Sequence, residues 1–390
     1  MKALGWAEAD IVELDLDDLQ ATALGIALNR TGELAEWDLP ALGKILESLQ
    51  TQGALDGVGF SEKEISGILD DVIAAAENLD GIVQDDSPLP PDAATTRPGD
   101  LWILGNHRLL CGDSSKRADL DRLLGGARIQ LVNSDPPYNV KVEPRSNNAI
   151  AAGLSSFSGT THHQGLDVSR HPSKAKATHE KLRPKDRPLA NDFISDEEFD
   201  CLLLAWFGNF AYALEPGRAF YIWGGYANCA NYPGALKASE LYFSQAVIWV
   251  KEHPVLTRKD FMGNHEWCFY GWREGAAHQF LGPNNATDVW SVKKVNHTAS
   301  VHLTEKPVEL AARAMQYSSR PGDNVLDLFG GSGSTLIGAE QTGRRAFLME
   351  LDPLYCDVIV ERFEKFTGKS ATLDGEGKSF AAVRAERSVA

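Results

Sequence analysis

The sequence predicts an α/β protein whose mixed, mostly parallel sheet is covered by helices on both faces, with a small, mainly helical domain in front of it. Three observations predict this. After residue 100, short apolar runs alternate with segments of helical period, the pattern of parallel strands joined by crossover helices. Before residue 80, apolar residues recur at helical spacing. Between the two, residues 81–100 hold Ser87-Pro88-Leu89-Pro90-Pro91 and Arg97-Pro98-Gly99, and that proline density marks a linker.

The elements follow in order. A first helix carries Leu16, Leu19, Ala23, Leu24, Ala27 and Leu28, and Asn29-Arg30-Thr31-Gly32 breaks it. A second runs from Leu39 to Gln50. Ser61 opens a third, with Glu64 completing a capping box ahead of Ile65, Ile68, Leu69 and Val72. Beyond the linker, Leu101–Leu104 and Arg108–Cys111 flank Gly105-Asn106 as a short hairpin. Strands are expected at Ile129–Asn133, Ala219–Trp223, Ala246–Val250, Trp267–Tyr270, Asn324–Phe329 and Ala346–Leu351. Helices fit Asp196–Leu214, Pro307–Tyr317, Ser334–Thr342 and Pro353–Phe366. Residues 141–190 are polar, lack a clear period and read as a long insertion. The expected boundaries are 1–80, 81–100, 101–370 and a C-terminal tail 371–390.

Composition narrows the class. With 43% hydrophobic and 24% charged residues, the 390-residue chain is neither disordered nor a disulfide mini-protein. No apolar run approaches the ~18 residues of a membrane span, and the N-terminus lacks the apolar stretch of a signal peptide. The five cysteines are scattered without a C-x-x-C pair, so no metal site is expected and a cytoplasmic location fits. A net charge of −16 argues against a nucleic-acid partner at first sight. The charge is unevenly spread, however. Residues 1–100 hold 21 acidic and 5 basic side chains, and residues 101–390 balance at zero.

Four segments carry chemistry. Asn133-Ser134-Asp135-Pro136-Pro137-Tyr138 follows an apolar strand, where open α/β sheets bind ligands. It offers a carboxylate, stiffened carbonyls and an aromatic ring, a set suited to a flat ring with an exocyclic amine. Val325-Leu326-Asp327-Leu328-Phe329-Gly330-Gly331-Ser332-Gly333-Ser334-Thr335 reads strand, glycine turn, helix. It has no P-loop lysine and no third glycine of the dinucleotide fingerprint. Glu350 lies 17 residues beyond Gly333 at the end of the next strand, a placement that suits ribose hydroxyls. His302-Leu303-Thr304-Glu305-Lys306-Pro307 starts a helix whose free amides suit an anionic group. Taken singly, each has a plainer explanation as a turn or a cap.

Together, in this order, the Asp-Pro-Pro-Tyr, T-E-K-P and D-L-F-G-G-S-G-S-T segments resemble the β-class amino DNA methyltransferases over residues 98–368. The resemblance implies a Rossmann-like methyltransferase fold with a seven-stranded sheet. It implies S-adenosyl-L-methionine as cofactor, at Asp113, Lys306, Pro307, Asp327, Phe329, Gly331, Gly333 and Glu350. The catalytic segment would be Asp135, Pro136, Pro137 and Tyr138, acting on a base flipped out of double-stranded DNA. Aspartate as the first residue of D-P-P-Y favours adenine N6, with cytosine N4 as the alternative. The resemblance leaves room for a homodimer and for a cognate restriction enzyme or none.

DNA contact needs local positive charge. The 141–190 insertion holds 9 basic and 4 acidic residues, densest at Lys181, Arg183, Lys185 and Arg187. Lys293 and Lys294, with Asn296 and His297, are further candidates for sequence recognition. Residues 4–70 resemble the later part of the ParB/sulfiredoxin-like domain at Leu28-Asn29-Arg30-Thr31-Gly32-Glu33, Glu36-Trp37-Asp38 and Gly59-Phe60-Ser61. Such domains are often fused ahead of these methyltransferases in phage and prophage proteins. The matched part lacks that family's phosphate-contacting segment, which implies a remnant without nuclease or nucleotide-hydrolysing function. A non-catalytic DNA-binding protein is the reading that rests on this part alone.

Overall fold

The computed structural model describes residues 81–139, 194–255, 260–283, 286–293 and 305–388, with scattered positions between 17 and 68. The chain divides into two compact units, Met1–Ala76 and Glu77–Ala390. In the first, residues 20–25 and 63–68 are helical. Ala23, Leu42, Leu46, Leu49, Val58 and Ile65 form its buried cluster. The expected capping box is present: the Ser61 amide donates to Glu64 Oε2 (2.8 Å) and the Glu64 amide to Ser61 Oγ (3.3 Å). Residues 28–33 and 36–38, on which most of the ParB-like resemblance rests, lie outside the described residues.

Among the described residues, the second unit is built on ten strands: β1 (Leu101–Leu104), β2 (His107–Cys111), β3 (Ile129–Ser134), β4 (Leu214–Gly224), β5 (Leu241–Val255), β6 (Gly263–Arg273), β7 (Val289–Ser291), β8 (Asn324–Asp327), β9 (Arg345–Glu350) and β10 (Thr372–Leu373). They form one sheet in the order β10-β1-β2-β9-β8-β3-β4-β6-β5-β7. The expectation of seven strands is corrected to ten. The run from β2 to β5 supplies seven, β1 and β10 extend one edge by antiparallel pairing, and β7 pairs parallel to β5 at the other. β1 is the expected hairpin strand; β7 and β10, of three and two residues, are too short for periodicity to show.

Among the described residues, seven α-helices flank the sheet: α1 (Arg117–Leu124), α2 (Asp196–Ala213), α3 (Tyr232–Ala238), α4 (Val308–Ser318), α5 (Ser334–Gln341), α6 (Pro353–Thr367) and α7 (Phe380–Ser388). Two apolar cores result. One gathers side chains of α1, α2 and α3, the other those of α4, α5, α6 and α7. In α2, Phe199, Leu203, Trp206, Phe207 and Phe210 recur at helical spacing and are all buried. Each contributes about 1.5–3 kcal/mol of apolar burial. Ser195 caps this helix reciprocally with Glu198, which fixes where it starts. Trp223 and Trp249 are core residues, as their strand positions predict; Trp267 is only partly buried.

Residues 81–100 lack regular structure, as the prolines dictate, yet they are fastened to the α/β unit. Asp85 forms a two-pronged ion pair with the fully buried Arg362 (2.8 and 2.5 Å). The Thr95 and Thr96 amides donate to the Asp357 carboxylate, and the Val308 amide at the start of α4 donates to Gln84. The segment is therefore a strap. The C-terminal stretch is likewise built in. Phe380 of α7 packs edge-on against Trp102, with ring centres 5.1 Å apart.

Candidate active site

β2, β9, β8, β3 and β4 run parallel, so their carboxyl ends share one edge of the sheet. Asp113 follows β2, Asp135 follows β3, Phe329 follows β8 and Glu350 ends β9. Segments far apart in sequence thus converge where open α/β sheets bind ligands.

Asp135 is the centre of a charged cluster. Its Oδ1 accepts from the Tyr138 hydroxyl (2.7 Å) and its Oδ2 from Lys306 Nζ (2.6 Å). The same ammonium donates to the Tyr138 hydroxyl (3.0 Å) and stands 3.0 Å from Glu266 Oε2. Glu266 is also paired with Lys251, which lies 7% exposed on β5. The Trp223 ring presents its face to the Lys306 ammonium at 5.6 Å. Burial raises the Asp135 carboxyl, and the Glu266 charge adds to that. Burial also works against ionised Glu266, but Lys306 and Lys251 outweigh it and hold its pKa at about 2. Burial opposes the charge on Lys306 too, and its two carboxylates still raise it. Asp135 keeps 23% of its side-chain surface open, so the cluster is reachable from outside.

The glycine turn lies beside it. Gly331 and Gly333 hold φ values of +53° and +90°, which side chains rarely tolerate. Nothing beyond its own loop comes within 4 Å of a Cβ position at Gly331, leaving that face of the turn open. Glu350 Oε2 accepts the Gly331 amide (2.8 Å) and Oε1 the Asp352 amide (2.9 Å). Burial pushes Glu350 up to about 7. Asp327 is more enclosed. Its oxygens accept from Ser134 Oγ (2.7 Å) and Thr335 Oγ1 (2.6 Å), and burial pushes it up to about 7. It therefore ties the end of β3 to the glycine turn. Asp113 accepts from the Ser115 amide and hydroxyl, which outweigh its burial and lower its pKa. Ser114 donates to the Leu328 carbonyl, joining that loop to the same edge.

A family model described as DNA methylase, the N6/N4 amino type, matches residues 129–361, more than half of the chain. The chain belongs to this DNA methylase family. It is 29% identical to type II methyltransferase M.Cfr9I of Citrobacter freundii over 33% of the chain and 47% of that protein. It is 38% identical to type II methyltransferase M2.DpnII of Streptococcus pneumoniae over 20% of the chain and 30% of that protein. The matches therefore span less than half the length of these curated relatives. A solved structure of M1.HpyAVI with SAM aligns at TM-score 0.43 and 16% identity, covering 62% of this chain and 92% of that one.

Most of the expected catalytic and cofactor-site residues converge on one edge. Lys306 departs from expectation in its direction: its ammonium points at Asp135, and its carbonyl accepts from Ser334 Oγ (2.7 Å). Lys293 is 78% exposed and lies 3.6 Å from Glu252. Lys181, Arg183, Lys185, Arg187 and Lys294 lie outside the described residues. Sequence reasoning missed Glu266 and Lys251. Their only trace is a charge at the border of each apolar strand run, Lys251 after Val250 and Glu266 before Trp267.

Proposed function

We propose that the protein is an S-adenosyl-L-methionine-dependent DNA methyltransferase that acts on the N6 amine of a flipped-out adenine. The observation that carries this reading is the Asp135 carboxylate at the sheet's carboxyl edge, with Tyr138 beside it and the glycine turn next to it. The cofactor is S-adenosyl-L-methionine. The open face at Gly331 and the half-buried Glu350 fit it, since each Glu350 oxygen accepts one amide and keeps a lone pair for a ribose hydroxyl. Phe329, Gly333, Asp113 and the Lys306-Pro307 start of α4 complete that pocket, and Asp327 holds its floor.

The bound cofactor supplies an electrophilic methyl on a sulfonium, so the amine needs placement more than activation by charge. Asp135 and a carbonyl of the Ser134-Asp135-Pro136 turn accept the two N–H bonds and turn the nitrogen lone pair towards that methyl. Held there, the cofactor would give its methyl to the amine nitrogen and keep the C–S bonding pair on sulfur. The surplus proton passes to Asp135, whose raised pKa suits a transient acceptor, and then to water. Tyr138 stacks on the base in place of its lost neighbours.

The test is mass spectrometry of nucleosides from duplex DNA incubated with the protein and labelled cofactor. Labelled N6-methyladenine is expected. N4-methylcytosine in its place moves the reaction to cytosine, and no labelled nucleoside refutes the enzyme.

A further inference from the structure

In this arrangement Asp135 has both oxygens engaged, Oδ1 by Tyr138 and Oδ2 by Lys306. Each oxygen keeps a second lone pair, but Oδ2 shares its charge with the ammonium at 2.6 Å and accepts an amine N–H more strongly once the ammonium has moved off. Lys306 has somewhere to go. Glu266 Oε2 is buried, takes no aligned hydrogen bond, and lies 3.0 Å from the same ammonium. Its other oxygen is held by Lys251 across the β5–β6 pair, which anchors the carboxylate in place.

We propose that Glu266 is a positioning residue that draws the Lys306 ammonium off Asp135 as the target amine arrives, so that Asp135 Oδ2 accepts an amine N–H with its charge no longer shared. The inference rests on the methyltransferase reading above. The geometry makes the exchange small: one ammonium already lies within 3.0 Å of both carboxylates, so a change of side-chain torsion moves it from one to the other. The charge stays paired throughout, which avoids the penalty of a bare buried ammonium. The Trp223 ring faces it along the way. Lys251 keeps Glu266 ionised and ready. Without the Glu266 charge, Lys306 stays on Asp135 and competes with the substrate.

The experiment measures single-turnover methyl transfer to duplex DNA by the full chain, together with cofactor and DNA affinities. In E266Q, transfer is expected to fall about 100-fold while both dissociation constants stay within about 3-fold. E266D keeps the charge at a shorter reach and is expected to lose about 10-fold. At saturating cofactor, adding Lys306→Met to E266Q is expected to recover part of the lost rate, because the competing ammonium is gone; a rate no higher than that of E266Q indicates a purely structural ion pair and overturns the proposal. Wild-type rates in either Glu266 variant overturn it as well. Should E266Q fail to fold, the E266D rate against its unchanged affinities decides. Cofactor binding by the wild type without transfer to DNA refutes the methyltransferase reading, and the proposal falls with it.

Discussion

Lys306 sits between two carboxylates, so removing one of them does not strand its charge. In Asp135→Ala, Glu266 still pairs with the ammonium at 3.0 Å, and the fold should survive. Methyl transfer should fall by at least about 10²–10³, because the amine loses the acceptor that orients its lone pair. Cofactor affinity, measured by calorimetry, should stay within a few-fold. Wild-type turnover in this variant would refute the mechanism. Glu350 makes a second prediction. Its pKa is raised to about 7 by burial, and ribose hydroxyls donate to the ionised form. Below pH 7 binding must first remove the proton, so cofactor affinity should rise between pH 6 and 8 and level off above. In Glu350→Gln the affinity should be weaker and this pH dependence should vanish.

Among the elements, the strap and α6 depend on each other through Arg362. This side chain is fully buried and reaches Asp85, Glu305 and the Ser332 carbonyl at once. It thereby joins the strap, the T-E-K-P segment and the glycine turn. Arg362→Met should cost about 3–5 kcal/mol, since it leaves Asp85 and Glu305 without their cation. Chemical denaturation would show this as a lower midpoint, and an unchanged midpoint would refute it. Such links also explain what the sequence hides. Asp135, the glycine turn and Glu350 are legible because each sits at a strand end with its own local pattern. Arg362 and Asp85 are 277 positions apart, and Lys306 and Asp135 are 171 apart. No local period carries such pairings; the sheet order creates them. Glu266 escapes notice for the same reason. A lone charge beside an apolar run looks like a strand end until the β5–β6 register sets it near Lys251.

For the whole molecule, the net charge of −16 is a poor guide to its partner. Residues 1–100 carry all of it, and part of the strap's acidity is consumed internally, Asp85 by Arg362 and Asp100 by Arg387. The insertion that holds Lys181, Arg183, Lys185 and Arg187 has a net charge of +5 over residues 141–190. Its two ends are pinned together. Asn139 donates from its amide to the Ile194 carbonyl and accepts the Ile194 amide, both at 3.2 Å. That clasp lies one residue beyond Tyr138, so the basic segment leaves and re-enters the fold beside Asp135. We propose that these four side chains neutralise phosphates of a duplex that presents its base there. Replacing all four with glutamine should therefore weaken DNA binding. It should also flatten the slope of log affinity against log salt by about 0.9 for each phosphate that is no longer neutralised. Cofactor affinity should not change, because the residues proposed to hold the cofactor lie outside the substituted segment. A salt slope equal to that of the wild type would show that the insertion does not touch DNA and would shift the search to Lys293 and Lys294.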